Sequence, residues 1–381
     1  MNILYLTKWN IDESSGVYKK IIAQKKALNR LGHQCCVLFV NDTNNSKLIL
    51  NDGKYDDVLL TKDYLCAFVK KFDFCYVRFE LLKHKFYRLV LNACKKAKTP
   101  VVLEIPTYPP YEESAARARN KLKEHKYFSA LKTFLGILRV KRSLNAQIKL
   151  SMLVCNNGDP TIFKKSKTIR IENGIDFEMN PYINRTRANG NINIIAVSNF
   201  SVWNGYDLAI DGLNKYVNES GNRNIHLYFV GDKTKASDLI NLTKKYSLED
   251  VIHFTGLLYG DQLNEVYSFS NVALGGLGDH RRKAFTNSSL KAKEYAARGL
   301  IMILSESEGI ENDIKEKSFL VEAAEKPVNF SNFLEWYSSI NVEDTSSFIH
   351  NFASNYYSWD IQMEYVCDEF LKVLNGGKNN K

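Results

Sequence analysis

Short apolar runs alternate with amphipathic segments along most of the chain. In the first half, NILYLT, QCCVLFV, FDFCYVRF and VVLEI have the pattern of strands, whereas GVYKKIIAQKKALNR and FYRLVLNACKKAK have helical spacing. Strands that alternate with helices favour a parallel sheet covered by helices, which is an α/β arrangement. The first half is therefore predicted to be Rossmann-like.

The same alternation restarts after a polar connector, NRTRANGN, at residues 184–191. From NIIAVSN to LIMILS, strand-like runs again alternate with helical segments. We predict two Rossmann-like domains whose parallel sheets face each other across a cleft. The first spans residues 1–185 and the second residues 186–354, and a C-terminal helical stretch at 355–381 packs back on the first domain.

Composition is that of a soluble globular protein, with 45% apolar and 25% charged residues in 381. The seven cysteines are scattered and form no C-x-x-C pair, which favours buried thiols over a disulfide framework or a zinc site. No apolar run reaches the length of about 18 residues that spans a membrane. The start, MNILYLTKWN, has a short strand pattern without the long apolar region of a signal peptide, so no signal peptide is expected. A cytoplasmic location is expected.

The net charge of +10 is concentrated in residues 115–150, where ten basic residues face one acid. Apolar residues recur there with helical spacing, from Tyr127 and Phe128 to Leu138. The segment is either a solvated surface or a platform on an anionic membrane. On the second interpretation, the membrane-contacting residues include Lys126, Arg139, Lys141 and Arg142. A nucleic-acid partner is not expected, because no recognised binding motif accompanies the charge.

A basic cluster precedes a helix in the stretch LGDHRRKAFTNSSLKAKEYAARGL, residues 277–300. The strand NVALGGL is predicted to end at Leu277, so the cluster lies where parallel sheets bind ligands. Free amides at the helix start near Ser288 or Ser289, together with the cluster, would suit phosphate oxygens. Alternatively, the basic residues are solvated and Glu294 merely pairs with Lys291 or Arg298.

Several segments resemble, in the same order, the GT-B glycosyltransferases of the retaining family four from bacterial surface-polysaccharide clusters such as those for capsule and O-antigen. They are GVYKK, VVLEIPTYPPYEE, IENGID, VSNFSVWNGYDLAIDGL, LYFVG, VIHFTGLL, the stretch around SSLKAKEYAARGLIMIL, and YSW. The resemblance covers nearly the whole chain. It implies a sugar transferred from a nucleotide diphosphate donor held by the second domain to an acceptor at the first.

The resemblance also implies roles for individual residues. Glu294 matches the second glutamate of an E-x7-E pattern and would bind the donor ribose. His280, Lys283 and Glu294 are assigned to the catalytic part of the site. The remaining donor-side positions are Gly16, Asn199, Asn204, Gly256, Leu257, Arg281, Thr286, Ser289, Leu290 and Lys291. Thr107 and Tyr108 lie where the family places its acceptor side.

Two departures from the family pattern change the expected chemistry. Thr286 stands where the first glutamate is expected, and a hydroxyl carries no charge. Asn199 and Asn204 occupy the places of an arginine and a lysine that clamp the diphosphate. The cluster from His280 to Lys283 is the predicted substitute for that missing charge.

The predicted function is retaining transfer of a sugar from a nucleotide sugar to a lipid-linked oligosaccharide, by an enzyme bound peripherally to the inner face of the cell membrane. The family implies that the departing phosphate accepts the acceptor proton. The resemblance also implies that no metal is needed, and no D-x-D motif at a strand end clearly demands one, so no metal or other cofactor is expected. Glu104 and Glu112 are candidate bases by location only, and a structural role is favoured for both. The alternative is a catalytically silent GT-B protein that serves another transferase as a partner.

Overall fold

The structure is a computed structural model with two compact units. It describes residues 1–12, 15–40, 45–50, 53–79, 84–105, 118–119, 121–122, 125–147, 152–156, 167–282 and 290–376. Unit 1 comprises Met1–Gly174 together with Trp359–Lys381, and unit 2 comprises Ile175–Ser358. Each unit has its own sheet and its own buried core.

Unit 1 is an α/β domain in which helices flank a mostly parallel sheet. Its strands are β1 (Asn2–Thr7), β2 (Gln34–Val40), β3 (Asn45–Ile49), β4 (Tyr55–Leu59), β5 (Phe74–Arg78), β6 (Val101–Ile105), β7 (Met152–Asn156) and β8 (Lys167–Ile171). Its helices are α1 (Gly16–Arg30), α2 (Lys62–Val69), α3 (His84–Ala97), α4 (Tyr127–Gln147) and α12 (Trp359–Gly376). The strand order is β4-β3-β2-β1-β5-β6-β7-β8. The central strand β1 is buried from its second residue onward, as continuous apolar runs in parallel sheets are.

An antiparallel extension at one edge of this sheet was not predicted. Strand β3 runs antiparallel to β2, and β4 runs antiparallel to β3. The turn between β3 and β4 is closed by Leu50, whose backbone N donates to the carbonyl of Lys54 over 2.9 Å, with Gly53 at a φ of +85°. The sequence signal for this hairpin is the NDG tripeptide between two strand-like runs.

Unit 2 is a second α/β domain, and its sheet is parallel throughout. Its strands are β9 (Ile192–Val197), β10 (Ile225–Val230), β11 (Ile252–Gly256), β12 (Val272–Leu274), β13 (Ile301–Ser305) and β14 (Phe319–Val321), in the order β11-β10-β9-β12-β13-β14. Its helices are α5 (Tyr206–Ser220), α6 (Ser237–Lys245), α7 (Gly260–Phe269), α8 (Leu290–Ala297), α9 (Asn312–Lys315), α10 (Phe330–Ser339) and α11 (Val342–Tyr357). Strand β12 ends at Leu274 and not at the predicted Leu277, so the ligand-side loop is longer than expected.

The division between the units falls before the polar connector on which the prediction rested. It lies at Gly174, ahead of the predicted boundary at residue 185, because the intervening residues already pack in unit 2. Arg185 is buried there, and its guanidinium donates to the carbonyls of Tyr267 and Ser270 over 2.8 and 2.7 Å. The chain returns to unit 1 at Trp359.

The predicted fold class, two Rossmann-like α/β domains, is confirmed. Within the described residues, the cysteines outside position 155 are free thiols. None of the helices in the described part of the chain is long and apolar enough to cross a membrane.

Candidate active site

Two loops at the carboxyl edge of the unit 2 sheet are locked together by close-packed glycines. One loop follows β9 and contains Gly205, whose φ is +66°; the other follows β12 and contains Gly278. A Cβ atom at Gly205 would lie 2.5 Å from the backbone N of Gly278, so no larger residue fits there. The backbone N of Leu277 also donates to the carbonyl of Asn204 over 2.9 Å. The two loops therefore form one rigid ligand-side wall.

Three of the predicted donor-side residues meet at this wall. The Lys291 ammonium donates to Oδ1 of Asn204 over 2.9 Å, and Nδ2 of Asn204 donates to Oδ1 of Asn199 over 3.4 Å. Lys291 also donates to the hydroxyl of Tyr206 over 3.3 Å, and Tyr206 is buried at the start of α5. The contact joins the start of α8 to the loop after β9.

Helix α8 is held against the end of β9 by a second contact. The buried Tyr295 accepts a hydrogen bond on its hydroxyl from the backbone N of Val197 over 2.8 Å. Glu294 is half-buried and follows Lys291 by one turn of the same helix. Leu290, the first residue of the helix, is exposed. This arrangement places Lys291 and Glu294 at the edge where parallel sheets bind nucleotides.

His280 and Arg281 are committed to carboxylates of unit 2. Arg281 donates to Asp207 through Nη1 and Nη2, over 2.9 and 2.7 Å, and to Glu325 through Nε over 2.7 Å. His280 lies 2.9 Å from Oε1 of Glu325. Hydrogen bonds from Arg281 and His280 hold the pKa of Glu325 at about 2. The guanidinium of Arg281 is thus paired with two carboxylates of the same domain, and His280 contacts one of them. Their roles at the donor stay predictions.

Two of the predicted donor-side positions, Gly256 and Leu257, lie at the end of β11. Gly256 has a φ of +92°, and the neighbouring Leu257 is exposed. The stem of Lys233 passes Gly256, with its Cε atom 3.5 Å from the position of a Cβ there. Sequence reasoning missed Lys233, since it lies three residues after the end of β10 in an ordinary polar turn.

Two predicted residues lie in unit 1: Gly16, predicted on the donor side, and Glu104, a candidate base. Gly16 is the first residue of α1. A Cβ atom added there would meet no atom of the described residues within 4 Å. Glu104, at the end of β6, is fully buried and forms salt bridges with Lys20 and Arg78, over 2.9 and 3.1 Å. Its other oxygen accepts hydrogen bonds from Tyr76 and Gln24 over 2.8 and 3.0 Å. Burial raises the pKa of Glu104, but Lys20 and Arg78 outweigh burial and hold the pKa at about 2. Glu104 is thus an anchor of the fold and has no capacity left to act as a base.

Several residues predicted to belong to the site lie wholly or partly outside the part of the chain that the structure describes. Lys283, Thr286 and Ser289, together with Thr107, Tyr108 and the candidate base Glu112, lie outside the described residues. Of Arg139, Lys141 and Arg142, only the backbone lies within the described part, in α4, whereas Lys126 is exposed just before that helix. Tyr206, which orients Lys291, was missed, because nothing in its local sequence shows that it faces α8.

Comparisons with known proteins agree with this architecture. Residues 191–336, which lie within unit 2, match the family model described as glycosyl transferases group 1. A search of curated proteins found no match to the chain.

Solved structures with the same fold cover nearly the whole chain. A glycosyltransferase from Rickettsia africae aligns with a TM-score of 0.64 at 15% identity, over 98% of each chain. HepE of Anabaena in complex with UDP aligns with a TM-score of 0.62 at 13% identity, over 98% of this chain and 100% of that chain; it was also solved with UDP-glucose. The sucrose-phosphate synthase of Thermosynechococcus elongatus aligns at 0.60 and 11% identity, over 98% and 99%.

The class of protein follows from these findings. The fold is that of the GT-B glycosyltransferases, and unit 2 carries the group 1 domain. The prediction that the chain is an enzyme of the glycosyltransferase class is confirmed at this level.

Proposed function

We propose that the protein is a retaining glycosyltransferase that moves a sugar from a nucleotide diphosphate-sugar to a lipid-linked oligosaccharide in surface-polysaccharide biosynthesis. The observation that carries the proposal is the contact between α8 and the loop after β9, where Lys291 meets Asn204. This contact lies at the carboxyl edge of the sheet in the group 1 domain, and a structural relative, HepE, was solved with UDP-glucose.

The proposed reaction needs little covalent help from the protein. The bond between the anomeric carbon and the β-phosphate oxygen breaks, and a bond between the anomeric carbon and an acceptor oxygen forms on the same face. The acceptor proton leaves with the departing diphosphate. The protein then contributes mainly by positioning both substrates and by stabilising the charge on the leaving group. That no metal is required stays a prediction, and turnover in the presence of EDTA tests it.

Donor binding should depend on Glu294. We expect one nucleotide among UDP, GDP, dTDP and ADP, with or without its sugar, to raise the melting temperature of the wild-type protein. Glu294→Ala should weaken that nucleotide about 10- to 100-fold, because a carboxylate that accepts hydrogen bonds from ribose contributes about 1.5–3 kcal/mol. Calorimetric titration measures the affinity, and Glu265→Ala on α7 serves as a control carboxylate. Equal affinity in Glu294→Ala and the wild type would contradict the ribose assignment. No stabilisation by any nucleotide would favour the silent-partner alternative.

The lipid-linked acceptor is supported by an apolar and basic surface on unit 1. Along α4, six large apolar side chains share one face and are exposed; Phe128 is 84% exposed. The exposed members are Tyr127, Phe128, Leu131, Phe134, Leu135 and Leu138. Lys126 and Lys132 are exposed beside them. A helix that combines an apolar face with basic residues suits the surface of an anionic membrane.

Removing charge from this surface should release the protein from anionic vesicles. Lys126→Gln with Lys132→Gln is expected to lower partitioning onto phosphatidylglycerol-containing vesicles by about 30-fold, since each lysine adds about 1 kcal/mol. Vesicle flotation measures the bound fraction. The apolar part is tested by Phe128→Ser, with Leu59→Ser as the matched control, because Leu59 is 69% exposed on β4 of the same unit. If none of these changes alters flotation, the membrane surface lies elsewhere.

A further inference from the structure

A diphosphate bound at the carboxyl edge of unit 2 needs a positive charge that the protein has not already neutralised. The residues that the family pattern uses for this purpose are replaced by Asn199 and Asn204. The described basic residues on the two locked loops and at the start of α8 differ in what they contact. Their existing partners therefore decide which of them can serve a ligand.

Arg281 and His280 are poor counter-ions because carboxylates surround them. The single guanidinium charge of Arg281 faces two carboxylates, Asp207 at 2.7 Å and Glu325 at 2.5 Å. The side chains of Asp207, Arg281, Glu325 and a neutral His280 together carry a net charge of −1. If His280 is protonated, their net charge is zero. These four side chains hold the loop after β12 in place, but without a net positive charge they do not attract a diphosphate.

Lys291 differs because its partners within the described residues are neutral. Its ammonium contacts Oδ1 of Asn204 at 2.9 Å, the hydroxyl of Tyr206 at 3.3 Å and the Tyr206 ring, with 5.3 Å to the centroid. No carboxylate of the described residues forms a salt bridge with it. An ammonium has three donors, and Asn204 and Tyr206 occupy two of them. One donor and the whole charge are left for a ligand.

The two partners of Lys291 also fix its position. Asn204 and Tyr206 are both buried, and Asn204 belongs to the loop that Gly205 locks against Gly278. The ammonium is thus held next to the side chain at the position where the family pattern has its clamp lysine. The positive charge of Lys291 therefore lies close to the place of the clamp lysine. Its side chain comes from α8 and not from the loop after β9.

We infer that Lys291, oriented by Asn204 and Tyr206, is the residue whose side chain binds the diphosphate of the donor in place of the missing clamp. The inference rests on the proposed function, because it assigns a counter-ion to that donor. It assigns this role to a residue outside the predicted substitute, the cluster from His280 to Lys283, of which Lys283 lies outside the described residues.

The test compares nucleoside diphosphates with the corresponding monophosphates by calorimetry. The probes are UDP, GDP, dTDP and ADP, followed by the monophosphate of whichever diphosphate binds. Lys291→Met should weaken the diphosphate about 10- to 100-fold, as expected for a lost charge-assisted hydrogen bond, and should weaken the monophosphate much less. Lys215→Met removes an equal charge from an exposed position on α5 and should leave both affinities within about twofold.

A charge relocation separates binding from a structural role. Lys291→Asn should lose affinity, and the double variant Lys291→Asn with Asn204→Lys should regain most of it, because the ammonium returns to the same place from the other loop. Unchanged diphosphate affinity in Lys291→Met, or equal losses for diphosphate and monophosphate, would overturn the inference and leave the proposed function intact. Failure of the wild-type protein to bind any nucleotide would overturn both.

Discussion

Glu104→Gln is expected to lower the free energy of unfolding of unit 1 by about 3–5 kcal/mol, the usual cost of leaving a buried cation without its partner. Glu104 is fully buried, and Lys20 and Arg78, which are 11% and 12% exposed, both depend on its carboxylate. Glutamine keeps the shape and removes the charge. Denaturant unfolding followed by tryptophan fluorescence measures the loss, because Trp9 and Trp359 both belong to unit 1.

The pH dependence of stability gives the same prediction an independent readout. The folded pKa of about 2 lies below the usual value of 4.5, so the carboxylate stabilises the fold above pH 4.5. This contribution, about 3 kcal/mol, is lost as the pH falls from about 4.5 towards 2. The difference between wild type and Glu104→Gln should therefore shrink over that range.

An exposed ion pair of the same unit supplies the control. Arg30 and Asp360 are 37% and 39% exposed, so Asp360→Asn should cost no more than about 1 kcal/mol. Equal losses for Glu104→Gln and Asp360→Asn would contradict the view that Glu104 anchors unit 1.

Gly205→Ala is expected to abolish tight nucleotide binding by separating the two locked loops. An alanine there must adopt a φ of +66° and would place its Cβ 2.5 Å from the backbone N of Gly278. Backbone atoms cannot swing aside as a flexible side chain can, so the loop that holds Asn204 must shift. Lys291 then loses the partner that orients it, and we expect diphosphate affinity to fall at least about tenfold.

Gly221 is the matched control, because Gly205 directly precedes helix α5 and Gly221 directly follows it. Its φ is +72°, but a Cβ there meets nothing within 4 Å. Gly221→Ala should cost about 1–2 kcal/mol of stability from the backbone conformation alone and leave nucleotide affinity unchanged. Gly205→Ala should cost about 1–3 kcal/mol more, from overpacking. Calorimetry and thermal unfolding of the two variants measure both effects, and equal behaviour would show that loop contact is unimportant.

The alternation of apolar runs was enough to predict both sheets, because the periods of strands and helices are local properties of the sequence. The β3–β4 hairpin was missed although NDG marks its turn, since its flanking runs are short and interrupted by polar residues. The boundary was placed too late because residues 175–185 contain no helix or strand. Tertiary contacts show to which unit they belong, such as those of Arg185 with the end of α7 and of Ile175 with Tyr357.

Predictions about the site depended on contacts that the sequence does not contain. The position of Lys291 and Glu294 on one helix followed from their spacing. That Arg281 is neutralised did not, because its partners Asp207 and Glu325 lie 74 and 44 residues away along the chain. The approach of Lys291 to Asn204, 87 residues apart, was equally hidden. A local pattern shows which charges are present but not which of them are already paired.

The proposed function requires that this chain transfers a sugar from a nucleotide donor. The most direct measurement incubates the protein with the sugar conjugates of UDP, GDP, dTDP and ADP and a membrane extract that supplies lipid-linked oligosaccharides. We expect release of nucleoside diphosphate from one donor, with a matching amount of product whose anomeric configuration, measured by NMR, equals that of the donor. Nucleotide binding without release of diphosphate from any donor would contradict it and would indicate a catalytically silent partner.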